Sequence, residues 1–212
     1  MPEFDSSRII KTMARLRKQK PDVFGAEDHG FRLNRMLSEA DAIAFEQLHH
    51  VTLPEDYRQF LTCVGNGGAG PFYGIFPLGK MDDNFGFRDW QEDDEMVGVP
   101  SEPFPFEEEW NDLSAKPTDD LADRDESEYW RQMDAFERVY WGNSLVNGAI
   151  PICHEGCALR IWLVVTGAQM GYLWEDKRSE YGGLNPVRLA GGSSATFGSW
   201  YDEWMNACMT AK

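Results

Sequence analysis

The chain has 212 residues, a formal net charge of −16, and 42% hydrophobic and 13% aromatic residues, enough apolar chain for one sizeable core and too aromatic for an acidic disordered segment. That charge argues against a nucleic-acid or anionic-membrane surface, since both are polyanions, and leaves a basic protein open as a partner. The opening Met1-Pro2-Glu3-Phe4-Asp5 carries acids where a secretory signal needs bases, and apolar runs such as Ile161 to Val165 fall short of the roughly 20 residues that cross a bilayer, so a cytoplasmic protein is expected.

Residues 1–36 predict an N-terminal helical extension: Ile9, Ile10, Met13 and Leu16 recur near helical spacing, and Pro21 and Gly25 break the pattern. The domain proper is read over 37–212. Its first helix is signalled at Ser38, a capping residue with Asp41 three positions on, followed by Ile43, Phe45 and Leu48 as apolar positions. The next begins at Pro54, whose missing N–H suits a first turn, with Glu55 and Asp56 at the positive end of the dipole and Tyr57, Phe60, Leu61 and Val64 as the stripe. It ends at Gly65-Asn66-Gly67-Gly68, residues tolerant of positive φ.

Phe72 to Leu78 then reads as a strand. Ile150 to Ile152, Leu159 to Val165 and Tyr172 to Trp174 read as antiparallel strands separated by glycine turns. A closing helix near Thr196 to Met209 places Phe197, Trp200, Trp204 and Cys208 on one face. Helices first and strands later predict an α+β fold with a mainly antiparallel sheet flanked by helices.

The charge is local. Residues 82–137 hold 20 acids and four bases, the whole of the −16, while 1–50, 51–81 and 138–212 are each neutral. This interval is read as an acidic insertion. Its first part, with Pro100, Pro103, Pro105 and Pro117, predicts irregular loop, and Tyr129, Trp130, Met133, Phe136 and Tyr140 predict a helix toward its end. Carboxylates interleaved with Trp90, Phe104, Phe106, Trp110, Tyr129 and Trp130 suit docking on a basic cleft, the charge steering encounter and the aromatics anchoring it. The candidate contacts are Asp93, Asp94, Glu95, Glu107, Glu108, Glu109 and Trp110. The plainer alternative is a solvated loop whose aromatics only tie it to the domain.

Other motifs carry less. Gly65 to Gly70 satisfies GxGxxG, but it follows a helix and precedes a strand, so its first amides belong to a helix C-terminus, whose partial negative charge repels phosphate. Cys153-His154-x-x-Cys157 lacks the second ligand pair that tetrahedral zinc requires. No nucleophile elbow or HExxH helix is present, so no catalytic residue, cofactor or metal is assigned.

Leu53-Pro54, Tyr57, Phe60-Leu61, Gly65-Asn66-Gly67-Gly68, Gly70-Pro71 and Gly74-Ile75, with Ile150-Pro151-Ile152, Gly156-Cys157, Leu163-Val164-Val165, Trp174, Tyr181-Gly182-Gly183 and the final Trp200 and Trp204, resemble the SUKH superfamily in order and spacing across roughly 38–207. The resemblance implies a non-catalytic binding protein. Bacterial members commonly act as cytoplasmic immunity proteins that neutralise toxins, often nucleases, of polymorphic or contact-dependent systems, and fungal members are regulators of cell-wall synthesis. The expectation is therefore an immunity protein with a basic toxin partner, the alternative being a regulatory scaffold with none. Motif positions Leu53, Pro54, Tyr57, Phe60, Gly65, Asn66, Gly67, Gly68, Gly74 and Trp174 are assigned to folding.

Overall fold

Amphipathic helices build one side of the core. The computed structural model describes residues 5–83, 86–90 and 97–211. Helix α1 (Ser6–Gln19) begins where the Asp5 carboxylate accepts a hydrogen bond from the Arg8 amide, and it buries Ile9, Met13 and Leu16. After the short α2 (Ala26–His29), α3 (Glu39–His49) starts at Ser38, whose hydroxyl accepts from the Asp41 amide as expected.

The stripe predicted for α3 is turned inward only at Phe45, which is half-buried against the core. Ile43 and Leu48 are 44% and 65% exposed, and Ala42 is the buried residue. The helix is held instead by ion pairs from Arg58 to Glu39 and Glu46, at 2.7 and 3.5 Å, and by Phe45 packing edge-on to Trp90.

Helix α4 (Glu55–Cys63) buries Tyr57, Phe60 and Leu61 as expected. Asp56 accepts at 2.9 Å from the Gly198 amide at the start of α7 (Phe197–Thr210), itself capped by Thr196 and Ser199 reciprocally. The rings of Tyr57 and Phe60 meet Phe197 at 4.9 and 5.0 Å. Beyond α4, Gly68 exchanges both backbone hydrogen bonds with Ile75 at 2.8 and 2.7 Å, and a Cβ there would lie 2.5 Å from the Arg32 carbonyl oxygen, at a φ of 98°. Glycine is required by that crossing of chains.

The strand expected at Phe72–Leu78 shrinks to Ile75, which bridges Gly68 and Cys153. Pro71 and Pro77 lack the N–H that a longer ladder needs. A hairpin unforeseen in the sequence follows, β1 (Lys80–Asp83) with β2 (Gly86–Asp89).

The main sheet, β3 (Ala149–Gly156), β4 (Leu159–Val164), β5 (Leu173–Asp176) and β6 (Leu184–Pro186), is antiparallel in chain order. The fold is α+β. Ile161, Leu163 and Leu173 share one face and join the buried side chains of α1, α4 and α7 in one core. Trp162 and Trp174, cross-strand neighbours and both fully buried, share the other face. An antiparallel sheet with both faces dry needs a second cover, and here the acidic interval supplies it.

Residues 97–118 contain no regular strand or helix and lead into α5 (Asp119–Arg124) and α6 (Glu126–Tyr140). The ring of Phe104 lies 4.8 Å from Trp174, Phe106 stacks on Trp110 at 5.3 Å, and Trp110 meets Tyr140 at 5.4 Å. Trp110 also exchanges backbone hydrogen bonds with Leu184 at 2.9 and 2.8 Å, adding one residue of pairing beyond β6.

Candidate functional site

The acidic interval has two sides. Inward, Trp90 and Phe104 are buried and Phe106 and Trp110 half-buried. Their rings pack on Phe45, Trp174, each other and Tyr140, which covers Trp90 and Phe104, while Phe106 and Trp110 each keep part of their surface open to solvent. Only Trp130, at 55% exposure, stands outward as the sequence suggests. Glu107, Glu108 and Glu109, between the inward Phe106 and Trp110, are exposed and make no ion pair with any described residue. Asp93, Asp94 and Glu95 lie outside the described residues.

The segment is anchored by polar groups as well as by rings. Tyr140 donates from its hydroxyl to Asn111 at 2.7 Å and accepts from the Gly183 amide at 3.1 Å. Asp176 and Arg178, 7% and 4% exposed, form a two-point ion pair at 2.9 and 2.7 Å, with the Trp162 indole donating to the same carboxylate. The other guanidinium nitrogen donates to the Tyr140 and Gly142 carbonyls at the end of α6, where a cation also meets the negative end of the helix dipole. The loop and helix that carry the outward acids are thus fixed to the sheet.

A groove of about 370 Å³ runs between α6 and residues 110–115, lined by Trp110, Ala115, Ala135, Phe136, Val139 and Tyr140 on its apolar part and by Asp112, Arg131 and Gln132. Hydrogen bonds from the Ser114 hydroxyl and amide hold the Asp112 carboxyl below its ordinary range. Those from Arg131 and Gln132 pull Glu128 down to about 2. Both stay charged at any physiological pH. The groove was missed in the sequence because Ala135 and Val139 fall four apart on the side of α6 away from its predicted stripe, and that spacing was its available signal.

A second group lies on the sheet. Glu155 and Glu175 share a side-chain hydrogen bond, and Lys177 reaches Glu175 at 2.6 Å. Burial and the Glu175 charge push the Glu155 carboxyl up to about 8. Nothing in the sequence marks this pair, since two acids on different strands reveal nothing until register is known. Cys153 is buried with its thiol 3.4 Å from the Pro71 carbonyl, whereas Cys157 is exposed in the β3–β4 turn. Among the described residues no three His, Cys, Asp or Glu side chains cluster in a metal-holding arrangement, and no helix is long and apolar enough to cross a membrane.

Residues 36–181, more than half of the chain, match the SMI1 / KNR4 family (SUKH-1). The chain belongs to that family. The SUKH-1 match includes the glycine crossing, β3 to β5 and the acidic interval, and ends before β6 and α7, short of the stretch to 207 over which the motifs resemble the superfamily. No curated protein and no solved structure matches the chain.

Proposed function

We propose that this SUKH-1 protein is a non-catalytic binding module, a cytoplasmic immunity protein that sequesters a basic toxin domain by presenting its acidic side to the toxin's cleft. The observation that carries this reading is the split of residues 97–140: aromatic side chains pack inward on the sheet while Glu107, Glu108 and Glu109 stand outward without ion-pair partners among the described residues. Carboxylates fixed on a rigid support can steer a cationic partner and keep their register once it docks. A nuclease toxin suits the arrangement, because a cleft built for a polyanion also accepts a row of carboxylates.

Growth rescue tests the proposal. Co-expression with the toxin gene adjacent to this one should restore growth. The triple variant Glu107→Lys, Glu108→Lys, Glu109→Lys should fold normally and weaken binding on the order of tenfold or more, most strongly at low salt. Absence of rescue would sink the immunity reading, and rescue indifferent to the triple reversal would remove these carboxylates from the interface.

A further inference from the structure

The groove beside α6 combines three properties. Its floor is apolar, formed by the buried Phe136 and Tyr140 with the half-buried Trp110. Its walls are low where Ala115 and Ala135 stand, and Val139, 71% exposed, leaves an apolar edge in water. The 370 Å³ of space holds one large side chain, such as an indole or a long aliphatic group, with room for its backbone at the mouth.

The charge around it selects the occupant. Residues 102–137 carry 13 acids and three bases. Each base is already engaged: Arg131 pairs with Glu128, Arg124 donates to the Asp120 carbonyl, and Lys116 lies 4.6 Å over the Tyr181 ring. An acidic segment entering the groove would find one further base, the exposed Arg138 beside Val139, against 13 acids, whereas lysines or arginines would find ionised Asp112 in the wall and, in the same segment, the carboxylates of 107–109, which have no ion-pair partner among the described residues.

We propose that this groove seats one large apolar side chain of a basic protein segment, whose flanking lysines or arginines meet the carboxylates around it. The inference rests on the reading of the chain as a binder of a basic protein and adds the seat that fixes the partner's register. Surface carboxylates speed encounter and a filled apolar pocket slows departure, so the two features divide the work of binding.

Two synthetic peptides test it, a labelled dodecalysine and the same peptide with one central tryptophan, titrated against the full chain by fluorescence anisotropy. Wild type should bind the tryptophan peptide at least tenfold more tightly. Ala135→Trp, which fills the groove from within, should bring the ratio of the two affinities close to one, and Val139→Ser should lower it at least threefold. Both positions are exposed, and unchanged thermal melts would certify the folds. Failure of dodecalysine itself to bind at low salt would overturn the basic-partner reading and the groove with it. Equal affinities in wild type, or a preference that survives both variants, would overturn the groove alone and leave the acidic face standing.

Discussion

Two carboxyl groups within hydrogen-bond reach cannot both ionise without repulsion, and Glu155 and Glu175 meet inside a partly dry corner of the sheet. Glu155 holds its proton up to about pH 8 in the folded chain, against about 4.3 when unfolded. A carboxyl that binds its proton more tightly folded than unfolded adds stability in full below the unfolded value, and that stability is lost as pH climbs through about 8. The melting temperature should therefore fall between pH 6 and pH 9, and Glu155→Gln, which keeps the hydrogen bond without the charge, should flatten the fall. A parallel pH dependence in the variant would show that the pair does not hold the proton. Trp174 makes a different contribution, since it is fully buried between Trp162 and Phe104. Trp174→Ala should cost about 3–5 kcal/mol by urea denaturation. Its indole N–H has no described hydrogen-bond partner, so Trp174→Phe, which removes that group with less loss of volume, should cost less.

At the level of elements, the acidic interval is part of the domain. Excising 97–137 would strip Phe104, Phe106 and Trp110 from the Trp174 face. The excised protein should lose its cooperative thermal transition and bind hydrophobic dyes; a sharp transition at the original midpoint would refute the covering role. What the sequence discloses about elements follows from how local each signal is. The Ser38 cap of α3 and the stripes of α1 and α4 depend on neighbours three and four residues away, and apart from Ile10, which is 43% exposed, they stand where expected. The burial of α3 depends on Arg58 of another helix, and Phe72–Leu78 depends on which chain lies opposite, so both depart from expectation. One legible sign pointed at the cover: Ile161 to Val165 is apolar at every position, the pattern of a strand buried on both faces rather than one.

For the molecule as a whole, the ordered motifs led to the family and the fold because they record chain crossings and core positions spread over long distances, as Gly68 and Trp174 do. The candidate site was legible only in its charge. Which aromatics face in and which carboxylates face out is decided by tertiary packing, and composition holds no direction. The exchange of hydrogen bonds between Trp110 and Leu184 has a consequence for assembly. It occupies backbone groups at the outer edge of the last strand, the kind of edge at which sheets of separate molecules zip together. The same loop that covers the Trp174 face thereby also closes one residue of that edge to a neighbouring strand.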